Sequence, residues 1–405
     1  MSTTTLNAAS DELTEARRTA IETSGWGAPF RFIQPRNACF WIYVALVVVG
    51  AKKFYDMAAP TAGVFAAANT AAAVCAALFC LLFLAYLPHA DKFEGTPAGL
   101  ALVAFAGGGF IATWVVALPG NGALMDIYTK IFGQVWATDW KAGLTAPFVE
   151  ESAKGAIFLL LLGLAPVVIR TVYDGLIVGA YIGLGFQVLE DVLYGQNSAY
   201  AHFGDDQVGS VLHTFAMRAV TGIASHALYT ALFAAGLIYL IGTVAQPRRV
   251  GRGLALMLAA VVVHGVWDSV AAIVSGNEIA AILLMLTITV VSVILLTLAI
   301  RWGARRERGF LHAVLAPEVA NGTITELELA AVAGEHGDRR QDRRAALRGR
   351  QAGTSRRREK HVLAAARGLA QDLASAQVAG EGEESAAVQH ARSEIRRLRG
   401  APAIV

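Results

Sequence analysis

Stretches of apolar residues long enough to cross a lipid bilayer recur along this 405-residue chain. A membrane-spanning helix needs about twenty mostly apolar residues, because its backbone polar groups must be satisfied within the segment itself. Eight stretches meet this requirement: residues 37–56, 62–87, 98–118, 144–164, 174–194, 213–241, 254–273 and 278–300. The sequence therefore predicts an all-α fold, a polytopic bundle of about eight transmembrane helices. The first span is the weakest, because Lys52 and Lys53 interrupt it.

The composition excludes a soluble globular domain. Hydrophobic residues make up 55% of the chain and charged residues 16%, whereas soluble domains average about 25% charged residues. The three cysteines, Cys39, Cys75 and Cys80, lie in apolar stretches, so neither a disulfide framework nor a thiolate metal cluster is expected. The lipid bilayer is the expected environment, no nucleic-acid partner is expected, and nothing in the residues indicates an oligomeric state.

The distribution of Lys and Arg between the spans predicts the orientation of the chain. Arg170 lies in the fourth connection, Arg248 lies in the sixth, and several arginines follow the last span. Even-numbered connections and both termini are therefore predicted to be cytoplasmic. This divides the chain into a cytoplasmic N-terminal segment, residues 1–36, a transmembrane core, residues 37–300, and a cytoplasmic tail, residues 301–405.

The tail is the basic part of a chain whose formal net charge is +3. Residues 301–405 hold 19 Lys and Arg against 13 Asp and Glu. Richness in Ala, Leu, Glu and Arg with glycine breaks favours short surface helices or partial disorder over a packed core. Three roles fit this composition: attraction to anionic lipid, binding of a partner, and a solvated extension without chemistry.

The fourth apolar stretch contains charged residues. A charged side chain near the bilayer centre costs about 2.5–3.5 kcal/mol on insertion scales and indicates a functional site by default. Glu150, Glu151 and Lys154 are spaced so that the ammonium group can pair with either carboxylate on one helix face. Repulsion between adjacent carboxylates makes one of them a usable base. The alternative is an interfacial helix start, where acids suit the positive end of the helix dipole.

The fifth stretch combines a glycine stripe with acids. Gly175, Gly179 and Gly183 recur every four residues, which lets another helix approach closely. Glu190 lies seven residues beyond Gly183 on the same face, so it is predicted to point into the bundle, whereas Asp191 is rotated by about 100°. Helix packing alone, with an interfacial acid, is the alternative.

The sixth and seventh stretches each carry a histidine. In the sixth stretch, His226 is the last of three residues spaced four apart, after Arg218 and Gly222. In the seventh stretch, His264 stands four residues before Asp268. A carboxylate one turn from an imidazole can hold its tautomer and orientation, as it does for catalytic and metal-bound histidines. The alternative is that each histidine only hydrogen-bonds a neighbouring helix.

The predicted topology places these residues at one depth. With the tail cytoplasmic, the fourth and sixth spans run inward and the fifth and seventh run outward. At a rise of about 1.5 Å per residue, Glu150, Glu190, His226 and His264 all fall in the outer half of the bilayer. The sequence therefore predicts a shared polar cavity that opens toward the outer face.

Four segments resemble the motifs of a known family. They are EESAK at residues 150–154, GAYIGLGFQVLEDVLY at residues 179–194, the helix around His226, and HGVWD at residues 264–268. In order and spacing they resemble the PrsW family of bacterial intramembrane proteases, which is related to the CAAX-processing glutamate proteases. The resemblance covers residues 140–275 and implies a protease of the bacterial cytoplasmic membrane.

The resemblance also implies a set of catalytic residues. These are Glu150 and Glu151 as paired glutamates, Lys154 as the basic residue, Glu190 as the second-motif acid, His226 and His264 as the later histidines, and Asp268, which stands where many relatives have Asn. A carboxylate cannot donate a hydrogen bond unless it is protonated, so the role of Asp268 stays open.

Two mechanisms are compatible with these residues. In the first, which the resemblance to CAAX proteases favours, no metal takes part. Glu150 is then the general base, tuned by the neighbouring acid and lysine, and His226 and His264 stabilise the oxyanion. In the second, His226, His264 and Glu190 hold a zinc ion with an open water position, and Glu150 again accepts the proton.

An ion-coupled transporter or a membrane scaffold is a prediction of another class, since intramembrane Glu, Lys and His also build ion relays. The sequence shows no inverted repeat of its polar motifs, although such repeats are common in transporters. A protease is therefore the favoured prediction. The resemblance implies a membrane-anchored protein substrate, such as an anti-sigma-factor-like regulator.

Overall fold

The structure is a computed structural model of the chain. It describes residues 3–93, 95–222, 225–334, 337, 340–341 and 352–400, with backbone alone for residues 3–10 and 352–356. The described residues form helices and no strand, which confirms the predicted all-α fold. They make two compact units. The membrane unit comprises Phe30–Asp91 and Thr96–Arg301, and the terminal unit comprises Met1–Pro29, Lys92–Gly95 and Trp302–Val405.

The helices are, in chain order, α1 (Thr3–Ser24), α2 (Ala38–Ala58), α3 (Ala66–Ala90), α4 (Ala98–Ala106), α5 (Leu118–Phe132), α6 (Gln134–Leu164), α7 (Val172–Ala201), α8 (Gln207–Gly222), α9 (Ser225–Ile241), α10 (Val250–Asp268), α11 (Val270–Ile273), α12 (Glu278–Ala320), α13 (Glu326–Ala333), α14 (Ala352–Ala379) and α15 (Ala386–Arg399). A 3-10 turn, Ala59–Thr61, follows α2, and a π-helical segment, Gly107–Ala117, joins α4 to α5.

The number of membrane-spanning helices differs from the prediction. Within the described residues, six helices are long and apolar enough to span a membrane, and the bent pair α8–α9 raises the number to seven. The chain is an integral membrane protein, but the predicted eight spans are not confirmed. The difference includes α6, in which Glu150, Glu151 and Lys154 interrupt the apolar sequence. These three residues are buried within the protein, so composition alone underestimates how well this helix suits the interior of a bundle.

Helix α7 packs closely against α9 along its glycine stripe. A Cβ added to Gly179 would lie 2.6 Å from the carbonyl oxygen of Thr230, and one added to Gly183 would collide with the carbonyl oxygen of His226. The close approach predicted from this stripe is therefore confirmed. It brings the backbone around His226 directly against α7.

The π-helical segment extends the third predicted span. It runs from α4 into α5 as part of one helix, Ala98–Phe132. A Cβ on Gly108 would collide with the carbonyl oxygen of Ile182 on α7, so glycine is required for this contact. π-helical turns are rare and often occur at functional sites. Because the helix continues beyond the predicted end at residue 118, it carries Asn121 to the side of α6.

The terminal unit has a hydrophobic core of its own. Ile21 and Trp26 from the N-terminal segment, Leu315 from α12, Leu369 from α14 and Ile395 from α15 are buried together. The prediction that the tail lacks a packed core is wrong for the described residues, because the N-terminal segment supplies part of that core from the other end of the chain. The tail residues 335–336, 338–339, 342–351 and 401–405 lie outside the described residues.

Buried ion pairs join helices of the terminal unit. Glu318 on α12 accepts hydrogen bonds from Arg17 Nη2 at 2.8 Å and from Arg392 Nε and Nη2 at 2.9 and 2.7 Å. Asn321 Nδ2 donates to the same carboxylate at 3.1 Å. The hydrogen bonds to Glu318 raise the pKa of Arg392 above its usual range. Both oxygens of Glu318 are therefore satisfied, although its side chain is fully buried.

Candidate active site

The ionisable residues of α6 lie on its buried face. Lys154 Nζ is 2.7 Å from Glu151 Oε1 and 3.7 Å from Glu150 Oε2, and none of the three side chains is more than 4% exposed. Both pairings predicted from the spacing are therefore present. Lys154 Nζ also lies 4.1 Å from the centroid of the Phe186 ring on α7, which adds a cation–π contact.

His264 on α10 lies between acids of two helices. Its Nδ1 is 3.1 Å from Glu151 Oε1, and its Nε2 is 3.3 Å from Asp268 Oδ2 and 3.7 Å from Glu150 Oε2. The predicted pairing of His264 with Asp268 is confirmed. Tyr229 stacks on the imidazole with ring centroids 5.1 Å apart, which restricts the orientation of the ring.

His226, near the start of α9, bridges α6 and α7. Its Nε2 is 3.0 Å from Glu190 Oε2, and its Nδ1 is 3.0 Å from Lys154 Nζ and 3.8 Å from Glu150 Oε2. An ammonium group has no acceptor, so Nδ1 accepts from Lys154 and Nε2–H donates to Glu190. The two ring nitrogens therefore serve different partners.

Arg218 on α8 pairs with both acids of α7. Its Nη2 is 2.6 Å from Glu190 Oε2, and its Nε donates to Asp191. The contacts of Glu190 with Arg218 and His226 confirm that Glu190 points into the bundle. In the sequence Arg218 is visible only as the start of a series that ends at His226, and nothing there indicates that it pairs with α7.

Two polar residues of the cluster are absent from the predicted site. Asn121 Nδ2 donates to Glu150 Oε1 at 2.9 Å, and Thr230 Oγ1 donates to Glu151 Oε2 at 3.3 Å. Each therefore holds one oxygen of the glutamate pair. The sequence offers little signal for either, because single Asn and Thr residues in apolar stretches commonly bond their own helix.

Several of these side chains line one cavity with a volume of about 520 Å³. Its lining includes Glu150, Glu190, His226, His264 and Asp268. The predicted convergence of ionisable residues from α6, α7, α9 and α10 on one cavity is confirmed. The catalytic roles of these residues and the opening of the cavity toward the outer face stay predictions.

Glu150 Oε2 is the candidate reactive atom of this cavity. It is buried and has no hydrogen-bond partner among the described residues, whereas Asn121 occupies Oε1. Lys154 Nζ, His226 Nδ1 and His264 Nε2 all lie 3.7–3.8 Å from it. A buried acceptor without a hydrogen bond carries a desolvation cost. The site can therefore gain free energy when a proton, a water molecule or a cation reaches this oxygen.

The same residues fit a metal ion. Glu150, His226 and His264 each offer one ligand atom, and these atoms lie within 4.8 Å of one another. Two imidazoles and a carboxylate are a ligand set that zinc prefers. The other nitrogen of each ring contacts a carboxylate, as is usual for metal-bound histidines. Glu190, the ligand predicted from the sequence, contacts His226 on the nitrogen that faces away from Glu150.

Fold and cluster together define a class of protein: a membrane-embedded enzyme with acid–base groups inside its helix bundle. Residues 96–297 match a family model described as PrsW family intramembrane metalloprotease. The chain belongs to this family of intramembrane proteases, as its four motifs indicate. The matched residues include every helix that lines the cavity. No curated protein and no solved structure matches the chain.

Proposed function

We propose that the cavity hydrolyses a peptide bond of a membrane-anchored protein, and that Glu150 accepts the proton of the attacking water. The observation that carries this proposal is the position of Glu150 Oε2. It is buried, it has no hydrogen-bond partner in the described part of the chain, and Lys154 Nζ and His264 Nε2 both lie 3.7 Å from it. His226 Nδ1 accepts from Lys154 and therefore has no proton to offer an oxyanion, so the role predicted for His226 does not fit this tautomer. A general base and the groups that stabilise the oxyanion must reach a common point.

The neighbours of Glu150 divide the remaining tasks. Asn121 holds Oε1 and so directs Oε2 at the water. Both nitrogens of His264 face carboxylate oxygens, which the imidazolium form satisfies, and this form offers an N–H to the developing oxyanion. Lys154 supplies a second positive charge. Glu150 then returns its proton to the leaving amine.

Membership of the PrsW family supports peptide hydrolysis over ion-coupled transport or a scaffold role. The family is named for proteolysis within the membrane, and we propose a membrane-anchored regulator of the anti-sigma-factor type as the substrate class. The apolar helices around the cavity support this substrate class, because they restrict access from water and favour protein substrates that already lie in the bilayer.

A specific observation favours a second version, in which Glu150, His226 and His264 hold a zinc ion. Five carboxyl groups of the cluster face only two permanent cations among the described residues, and a divalent cation would offset this excess. When bound, zinc would polarise the scissile carbonyl group and acidify a bound water. We favour the metal-free version because Lys154 Nζ, 3.0 Å from His226 Nδ1, provides a positive charge at the nitrogen that zinc would use.

Substitution of the base tests the proposal. The substrate is a quenched fluorescent peptide with one apolar membrane segment, reconstituted with the purified protein in liposomes. Glu150→Gln is expected to lower kcat/KM at least about 100-fold, because a general base commonly contributes 10²–10⁴ to the rate. Asp139→Asn, an exposed acid on the same helix, is the matched control. Full activity of Glu150→Gln would remove the proposed mechanism.

Metal removal separates the two versions. Protein treated with a strong chelator, and shown by elemental analysis to be free of zinc, is expected to keep its activity. In the zinc version the activity would be lost and would return when zinc alone is added. That second outcome would replace the metal-free mechanism without affecting the assignment of the cavity.

A further inference from the structure

A second cavity lies beside the catalytic one. Its volume is about 100 Å³, and it is bordered by α8, α9, α10 and the membrane part of α12. We call it the lateral groove. The residues that line it include Leu228, Tyr229, Trp267, Ile288, Ser292 and Val293. The groove is too small for an α-helix, whose diameter with side chains is about 10–12 Å, and its volume admits no more than a residue or two of an unwound chain.

The lateral groove borders the catalytic cavity. Tyr229 and Trp267 line both spaces. Tyr229 also stacks on His264, with ring centroids 5.1 Å apart. A chain that lies in the groove and passes these two aromatic rings therefore arrives at the imidazole and at Glu150.

One polar atom in the apolar groove lacks a hydrogen bond. Ser292 is 5% exposed, and its hydroxyl has no partner within the described residues. Hydroxyls inside helices commonly bond the carbonyl group one turn earlier. Thr287 and Thr289 on the same helix do so, at 2.8 and 2.9 Å. The Ser292 hydroxyl makes no such bond, so it is available to a ligand in the groove.

The helix that closes the groove is weakly packed. Only 11% of the most apolar stretch of α12 is buried within the protein, and Val290, two residues from Ser292, is 58% exposed. Displacement of α12 from α9 and α10 would therefore expose little additional apolar surface. In a bilayer the space beyond α12 is occupied by lipid, so the groove can be reached from the side.

We propose that the lateral groove binds the unwound, apolar end of a substrate's transmembrane segment and leads it from the lipid to Glu150. This inference rests on the proposed function. The Ser292 hydroxyl bonds the substrate backbone, whose N–H and C=O groups lose their helical partners when the segment unwinds. A lipid acyl chain would fill the same space but has no group to bond the hydroxyl, so a peptide is the occupant that the groove fits.

Disulfide trapping tests occupancy without any need for catalysis. Cys39, Cys75 and Cys80 are replaced by Ala, Glu150→Gln prevents turnover, and Ser292→Cys introduces a thiol of nearly the same size. The probe is a synthetic single-pass Leu/Ala peptide with one cysteine near its outer end, reconstituted in liposomes, and copper phenanthroline is the oxidant that accepts the two electrons of disulfide formation. Val290→Cys, on the exposed face of the same helix, is the control.

The peptide is expected to couple to position 292 at least about tenfold faster than to position 290, since a bound segment presents its thiol at high effective concentration. Equal rates at the two positions, coupling only between two copies of the protein, or no coupling at position 292 would each overturn the proposal. Because coupling requires occupancy of the groove and not cleavage, the result does not depend on Glu150 being the base.

A kinetic comparison links the groove to the reaction. Ser292→Leu fills the groove, and Val290→Leu makes the same change on the exposed face. The ratio of kcat/KM for the tethered peptide to kcat/KM for a short soluble peptide should fall about tenfold in Ser292→Leu relative to Val290→Leu. An equal ratio in the two variants would contradict the groove as an entry path, whereas absence of cleavage in the unsubstituted protein would contradict the proposed function.

Discussion

Each of the two units contains a buried glutamate among cations, but the two clusters are completed to different degrees. In the terminal unit, Glu318 receives bonds on both oxygens from Arg17, Arg392 and Asn321. In the membrane unit, Asn121 bonds one oxygen of Glu150, and the other has no hydrogen-bond partner among the residues described. Both side chains are almost fully buried.

This difference separates a structural cluster from a functional one. A fully satisfied network stabilises a unique arrangement of helices, whereas a partly satisfied one costs free energy and persists where a reaction or a ligand needs it. Glu318 therefore belongs to the architecture of the terminal unit. Glu150 has one oxygen without a hydrogen bond, and this oxygen can bind water, a proton or a cation.

The same substitution at the two positions should act in opposite ways. Glu318→Gln removes the negative charge that two buried arginines share, and loss of one partner of a buried ion pair costs about 3–5 kcal/mol. The expected result is faster proteolysis of the terminal unit and its thermal unfolding at a lower temperature. Glu326→Ala, an exposed acid on α13, serves as the control. Unchanged stability of Glu318→Gln would remove the basis for calling this cluster structural.

A substitution in the glycine stripe tests whether the functional cluster tolerates a larger distance between α7 and α9. Gly183→Ala places a methyl group against the carbonyl oxygen of His226, and overpacking of this kind costs about 1–3 kcal/mol. Displacement of α9 should lower peptidase activity about tenfold to a hundredfold. Gly251→Ala on α10 is the control, since no described atom lies within 4 Å of its added Cβ. Equal activity of the two variants would show that the close approach is not needed.

Asn121 is expected to have a smaller effect on the reaction than Glu150 or Gly183. Its amide orients Glu150 without taking part in proton transfer, so Asn121→Ala should lower kcat about tenfold, the value of one hydrogen bond to a charged group, with little change in KM. Asn197→Ala, another amide at the cavity, is the control. A rise in KM with unchanged kcat would assign Asn121 to substrate binding instead.

The sequence predicts those parts of the site that local periodicity and motif spacing encode. The pairs Glu151–Lys154 and His264–Asp268 follow from helical spacing, and the contact of Gly183 with α9 follows from the stripe. These features are confirmed because each depends on one helix or on a close approach that only small residues allow.

The remaining features depend on contacts between distant segments. Asn121 joins the site because the π-helical segment continues beyond the predicted end of the third span. The core of the terminal unit combines Trp26 with Leu369, residues from opposite ends of the chain. Local composition carries no record of such partners, and the sequence of the tail therefore does not predict its packed core.

Thermal unfolding and peptide cleavage of the same Glu150→Gln preparation test whether the unsatisfied oxygen of Glu150 acts in the reaction and not in the fold. We expect a Tm equal to or above that of the unsubstituted protein, since a buried carboxylate is replaced by a neutral group of the same shape, together with at least about a 100-fold loss of kcat/KM. A lower Tm with cleavage retained would place Glu150 among the structural residues and contradict its role as the base.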